Sequence, residues 1–315
     1  MAPLRSVASA ITEPVAVCAL DDLGLLSFRG PDAGKFLQGQ LSNDTGKLHP
    51  GALLRAGLHN PQGRTLAVLA LAAGPITAAG AGRAAPGDAA ATNEVLALLP
   101  RELIAATAAT LRRYVLRAKV TISDDSAVYR VYGLTSPAAP DGSGSLAYDS
   151  GRAVVIRRAD EPAPAGAPLT RTQWRALDIA AGLPQVYLPT CGQFVAQMLN
   201  LDQVGAVSFE KGCYTGQEVI ARAHYRGRVK RRMQRFLSAQ PLQLAPGDAA
   251  QLTDGRSLRV IEALQREDGR CEFLAVAALP AADAGTTAEP NPAADAPSPA
   301  ARIEAAALPL PYALE

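Results

Sequence analysis

The chain has 315 residues, with 31 Lys+Arg against 29 Asp+Glu, a formal net charge of +2, and 48% hydrophobic residues although aromatics make up only 5%. That length allows two or three domains, each able to bury a core. The even charge balance argues against a uniformly basic nucleic-acid binder or a strongly acidic solvating chain, so any contact with nucleic acid has to be local. Four cysteines (Cys18, Cys191, Cys213, Cys271) without CxxC spacing, and three dispersed histidines (His49, His59, His224), speak against a disulfide framework or a structural metal site. The first ten residues lack the apolar stretch of a signal peptide, and no uninterrupted apolar run is long enough to span a bilayer. The expectation is a cytoplasmic protein without membrane contact. Only Lys35, Lys47, Lys119, Lys211 and Lys230 are lysines, so each lysine says more than any one of the abundant arginines.

In chain order, Val15–Leu20 and Leu25–Phe28 read as a β-hairpin, or two adjacent strands, around a turn at Asp21-Asp22-Leu23-Gly24. Asp32 can cap a short helix carrying Phe36, Leu37, Gln40 and Leu41. A turn at Asn60-Pro61-Gln62-Gly63 precedes a buried strand over Leu66–Leu71. Glu94–Leu99 is a strand closed by Pro100, and Leu103, Ile104, Ala108, Leu111 and Tyr114 mark a helix. Strands follow at Ala118–Ile122, Val128–Leu134 and Ala153–Ile156. After a Pro/Ala linker at Pro162–Leu169, Thr170 or Thr172 caps a helix with Trp174, Leu177 and Ile179 that stops at Gly182. Beyond Lys230 the pattern turns to short strands with Gly turns, which predicts a small β-barrel or sandwich. Within it, residues 281–299 read as a flexible insert.

The richest stretch is Ser208–Arg235, SFEKGCYTGQEVIARAHYRGRVKRRMQR. Phe209, Val219 and Ile220 are apolar anchors. Lys211, Gly212, Cys213, Tyr214, Thr215, Gly216, Gln217 and Glu218 pack two glycines, a thiol, an amide and a carboxylate into a turn. Thr215 or Gly216 opens a helix whose first turn holds Glu218, so the Cys213 thiol lies near the positive end of the helix dipole with Lys211 two residues away. Two readings of Cys213 stand together: a reactive thiol, or a small inert residue. The basic run Arg222, Arg226, Arg228, Lys230, Arg231, Arg232 and Arg235, interleaved with Tyr225, is either a phosphate-binding surface or a solvated strand edge.

KGCYTGQE, followed by Ala221-Arg222, Tyr225-Arg226-Gly227 and Lys230-Arg231, resembles the signature of the YgfZ family of folate-binding proteins, relatives of the glycine-cleavage T-protein and of mitochondrial iron-sulfur assembly factors. Collinear blocks carry the likeness outward: Asp21-Asp22, Gly30, Phe36–Leu41 with Asn43-Asp44, Pro61–Arg64, Gln173-Trp174, Ala181-Gly182, Gln193-Phe194, Gln197, Asn200-Leu201 and Pro309–Tyr312. The resemblance runs from Val15 to the end, apart from the 281–299 insert.

That resemblance implies an α+β, three-domain T-protein-like ring: two ferredoxin-like α+β domains interleaved in sequence, plus a C-terminal β-barrel. As contiguous approximations, the ranges are 15–120, 121–232 ending in the motif, and 233–315. It implies tetrahydrofolate or a derivative at the centre, touching Trp174 and the Leu23 position, where the bacterial prototype has an aromatic residue. Pterin-edge partners would be Gln197 or Glu218, and Arg222, Arg226 and Arg228 would meet the anionic tail. Trp174 reads equally well as a core side chain. Val195-Ala196-Gln197 departs from relatives, which commonly have proline before the glutamine.

T-protein enzymes carry a carboxylate pair after the glycine of the second hairpin. Here Gly63-Arg64-Thr65-Leu66-Ala67 has no acid, which argues against aminomethyltransferase activity. The expectation is a folate-binding accessory protein that supports iron-sulfur cluster assembly or repair and, through iron-sulfur enzymes, tRNA modification. Its partners would be folate, iron-sulfur assembly machinery or client enzymes, and tRNA through the 222–235 run, with Cys213 as functional thiol and Lys211 as its electrostatic partner. Two alternatives are a folate-dependent one-carbon transferase or demethylase using Cys213, and a direct RNA-binding module.

Overall fold

The computed structural model describes residues 14–74, 93–137, 139, 144–227, 229–280 and 301–314. Three sheets organise them. The first contains β2 (Leu23–Arg29), β3 (Leu54–His59), β4 (Thr65–Ala73), β5 (Glu94–Pro100) and β6 (Thr121–Asp124), in the order β3-β4-β5-β2-β6. Near-continuous apolar sequence in β4 and β5 fits strands covered on both faces. Helix α1 (Ala33–Gln40) buries Ala33, Phe36 and Leu37, and α2 (Ile104–Arg112) buries Ile104, Ala108 and Leu111. These side chains join the largest apolar cluster of the described residues.

The second sheet has the order β10-β1-β7-β9-β8, built from β1 (Ala16–Ala19), β7 (Tyr129–Leu134), β8 (Leu146–Ala147), β9 (Ala153–Arg158) and β10 (Ala167–Pro168). β1 and β2 are therefore not a hairpin. The turn between them is real, closed by Leu23 N donating to Leu20 O at 3.0 Å. Its arms nevertheless enter different sheets: β1 pairs with β7 and β10, and β2 with β5 and β6. The chain thus stitches the two α+β units together in its first described residues. β6 pairs with β2, and β10, inside the segment read as a linker, pairs with β1.

Two local expectations change. Asp32 precedes α1 without a side-chain capping bond, and its carboxylate accepts from Lys119 N at 2.7 Å instead. Tyr114 lies beyond α2 and is 43% exposed, so it does not belong to the apolar face.

The third sheet is six-stranded, in the order β15-β12-β13-β14-β11-β16. Its strands are β11 (Arg231–Pro241), β12 (Ala249–Leu252), β13 (Ser257–Gln265), β14 (Arg270–Ala278), β15 (Ala301–Ile303) and β16 (Ala305–Leu308). β15 and β16 occupy opposite edges, so among the described residues this is a half-barrel and not a closed barrel. The insert at 281–299 lies outside the described residues. Past β16, the Tyr312 hydroxyl donates to Gly182 O at 2.6 Å and accepts from Asn200 Nδ2 at 3.3 Å. Gly182 sits at φ +63°, and a Cβ there would lie 2.6 Å from the same hydroxyl, so the helix stop doubles as the seat for the C-terminal segment. No helix of the described residues is long and apolar enough to cross a membrane.

Candidate functional site

Helix α3 (Arg171–Ala180) starts at a capping box: Thr170 Oγ1 accepts from Gln173 N, and Gln173 Oε1 accepts from Thr170 N. Fixing that end sets the helix rotation, so that Arg171, Trp174 and Asp178, spaced i, i+3 and i+7, face the same way. They face a small cavity of about 50 Å3 where all three sheets meet. Leu23, Val68, Ala70 and Leu98 give the first sheet's wall, Val154 and Tyr148 the second's, and Glu262 of β13 the third's. Leu23 and Trp174, far apart in sequence, line this one cavity. Trp174 is also a core residue, 1% exposed and packed so closely on β7 that a Cβ at Gly133 would approach its ring to 2.4 Å.

The cavity is strongly polar at its rim. Arg152 stacks over both the Trp174 and Tyr148 rings, 4.6 and 4.9 Å from their centroids, and Arg55 lies 4.4 Å from the Tyr148 centroid. Asp178 pairs with Arg152 at 2.9 Å, and Arg171 grips Asp22 through Nε and Nη2 at 2.6 and 2.7 Å. Glu262 accepts from the Tyr187 hydroxyl in a very short bond and faces Arg175 at 3.3 Å. Burial raises the pKa of Asp178 and Glu262; Arg152 and Arg171 oppose the shift at Asp178, and Arg175 opposes it at Glu262. Two buried donors on the cavity wall, Arg55 Nη2 and Arg171 Nη1, have no hydrogen-bond partner. Unpaired buried guanidinium N–H groups are costly, and a bound acceptor is the usual remedy.

The motif lies elsewhere, against the first sheet. Gly216 (φ +81°) is the residue before α4 (Gln217–Tyr225), and Gly63 (φ +71°) closes the 60–63 turn. A Cβ at Gly216 would lie 2.5 Å from Asn60 O, and one at Gly63 would lie 2.9 Å from Val219 Cβ. Two glycines thus let the second hairpin and the motif turn touch backbone to backbone. The Arg64 guanidinium in that hairpin donates to Gln193 O. Cys213 and Gly212 are exposed, and a Cβ at Gly212 would meet nothing within 4 Å.

Lys211, expected beside the thiol, is buried and donates through Nζ to Gln38 O and Leu41 O, both at 2.6 Å, where it caps the C-terminal end of α1. Burial lowers its pKa to about 8, with Asp44 opposing. Gln197 is buried beneath α4, with Nε2 donating to Ile220 O at 2.7 Å and Oε1 unpartnered. Glu218, Arg222 and Arg226 are exposed and do not line the central cavity. Arg228 lies outside the described residues. Tyr214 is buried, with its ring 5.0 Å from Lys211 Nζ, while Thr215 and Gln217 are half-buried at the turn.

The basic run divides. Arg232 is buried and bonded to both oxygens of Asp202 at 3.0 Å, and Arg235 donates twice to Glu272. Arg231 bonds to Ser257 O at 3.1 Å. These three are mortar of the third sheet, not a phosphate surface. His59, read as a turn residue, ends β3 fully buried. Its Nδ1 lies 3.3 Å from Thr65 Oγ1 and its Nε2 is unpartnered.

Sequence reasoning missed Arg55, Tyr148, Arg171, Asp178, Tyr187 and Glu262. Arg171 and Asp178 had a legible signal, since they share the helical face of Trp174. The other four come from separate elements and had none.

The three-sheet α+β architecture resembles that of a glycine-cleavage T-protein. The aminomethyltransferase T of the glycine cleavage system from Bartonella henselae superposes with a TM-score of 0.59 over 84% of this chain and 78% of that one, at 12% identity. No protein-family model matches. Among curated sequences, the chain is 31% identical over 248 residues to the tRNA-modifying protein YgfZ of Edwardsiella ictaluri, covering 69% of this chain and 70% of that protein. It is 30% identical over 300 residues to the protein of the same name from Enterobacter sp., covering 85% and 86%. The Cronobacter sakazakii protein is 29% identical with the same coverage. The chain belongs to the YgfZ family.

Proposed function

We propose that this protein binds tetrahydrofolate or a derivative in the central cavity and acts as an accessory factor in tRNA modification, through the assembly or repair of iron-sulfur clusters in client enzymes. The tRNA arm rests on the name its relatives carry, and the folate and iron-sulfur arms on the family resemblance. The observation that carries the reading is the cavity itself: Leu23 and Trp174 share it with two unpartnered guanidinium donors. A pterin is planar and apolar on its faces, with donors and acceptors along one edge, and its tail ends in carboxylates. Leu23 and the edge of Trp174 would meet the ring, Asp178 or Glu262 its amino edge, and Arg55 and Arg171 a carbonyl or carboxylate oxygen. These replace Gln197, Glu218 and the α4 arginines as the residues that would hold the ligand. Cys213, exposed and absent from the cavity lining, would act on a macromolecular partner and not on the folate.

Trp174 is the sole tryptophan, so its fluorescence reports on the cavity. Titration with tetrahydrofolate, corrected for inner-filter absorption with free tryptophan and checked by calorimetry, should give saturable quenching and heat. Leu23→Asp should weaken both. Absence of heat and of quenching at millimolar tetrahydrofolate overturns the folate arm.

A further inference from the structure

Outside the cavity, the far end of α4 has a construction its own packing does not explain. The helix buries only Ile220, yet its last turn carries two rings, His224 and Tyr225, in contact with a third, Phe209, from the segment before the motif. Phe209 and His224 stack with centroids 3.7 Å apart and planes 11° apart. Tyr225 stands edge-on to both, at 6.1 Å from Phe209 and 4.7 Å from His224. Tyr225 is 68% exposed. Arg222 and Arg226, one turn apart and flanking Tyr225, are exposed, and their guanidinium groups make no hydrogen bond or ion pair among the described residues. Their neighbours Arg231, Arg232 and Arg235 are all bonded within the fold.

A rigid, exposed ring bracketed by two unengaged guanidiniums suits one chemistry well. A nucleotide base can stack on the ring while its flanking phosphates meet the arginines. A protein hot spot of the same composition would need an apolar surround that seals out water. Here His224, against the ring, and Arg226 and Gly227, which follow it in the chain, are all exposed, and the surface is polar. A paired helix would hide its bases from Tyr225, so the fitting partner is single-stranded. Glu210 and Glu218 in the same segment keep the surface from being broadly cationic, which limits the contact to few phosphates.

We propose that the C-terminal end of α4 binds single-stranded RNA, with an unpaired base stacked on Tyr225 and adjacent phosphates on Arg222 and Arg226. The choice of RNA rests on the tRNA arm of the function proposed above and is independent of its folate arm.

The test uses the full chain, fluorescence anisotropy and two probes: an RNA hairpin with an unpaired loop, and the fully paired duplex of its stem. The hairpin should bind more tightly than the duplex. Tyr225→Leu should weaken hairpin binding about 5- to 150-fold, the range for loss of one stacked base, while Tyr225→Phe retains it. Arg222→Gln and Arg226→Gln should each lower the slope of log affinity against log salt by about 0.7. Equal binding of duplex and hairpin, unchanged affinity in Tyr225→Leu, or no binding of the hairpin overturns the proposal. Tetrahydrofolate titration of Tyr225→Leu through Trp174 separates the two arms: unaltered quenching shows an intact fold and a standing folate arm whatever the RNA result.

Discussion

Acid should loosen this protein through His59. The ring is buried at the end of β3, 6.3 Å from the Tyr214 ring of the motif, with Nε2 unpartnered and so close to β3 that a Cβ at Gly57 would lie 2.4 Å from it. No room remains for a solvating water on that side, and burial pushes the pKa from 6.5 to about 3. The folded state then keeps the imidazole neutral where the unfolded chain protonates it. Between those two values the unfolded state binds more protons, so stability is full above pH 6.5 and falls as pH drops towards 3. Each pH unit in that window is worth about 1.4 kcal/mol, so acidification from pH 7 to 5 should remove about 2 kcal/mol. Asp178 and Glu262, whose folded pKa values are raised, contribute with the opposite sign. The assay is therefore a difference: urea unfolding of the wild type and of His59→Gln at pH 5, 6 and 7. The variant should lack about 2 kcal/mol of the wild type's acid loss between pH 7 and 5. The same pH dependence in both proteins would refute the buried-imidazole argument.

Other predictions follow the same geometry. Asp202→Ala strands the buried Arg232 guanidinium and should cost about 3 to 5 kcal/mol in urea unfolding, whereas a surface arginine would lose under 1. Gly216→Ala forces a side chain into the left-handed region against Asn60 O and should cost about 2 to 4 kcal/mol. Gly212→Ala, pointing into open space, should stay within about 0.5 kcal/mol of wild type. Lys211→Met removes two bonds to the end of α1 and should cost about 2 kcal/mol while leaving the alkylation rate of Cys213 by iodoacetamide within twofold. A large fall in that rate would return Lys211 to the role of the thiol's partner.

How much was legible depends on whether a feature is local. The helices at Ala33–Gln40, Arg171–Ala180 and Gln217–Tyr225 follow from apolar spacing, a capping threonine and a glycine before the first turn, because helix signals lie within a few residues of each other. The motif and its flanking blocks identified the family, since collinear residues need no coordinates to be recognised. The glycines of the 60–63 turn and of the motif were visible as glycines, but their reason, mutual contact, was not.

Partner choice in the sheets was decided only in three dimensions. A turn at Asp21-Asp22 fits a hairpin as well as a crossing between sheets, and the register that sends β1 to β7 and β2 to β5 is set by strands some 65 residues away or more. Charge was equally ambiguous: Arg222 and Arg232 read alike, yet one stands in water and the other is bonded to Asp202. Likewise, Lys211 two residues from Cys213 looked like its partner until the chain turned the ammonium towards α1. Sequence spacing fixes where a side chain starts, whereas burial and the nearest acceptor decide where its charge goes, and both depend on contacts between distant segments.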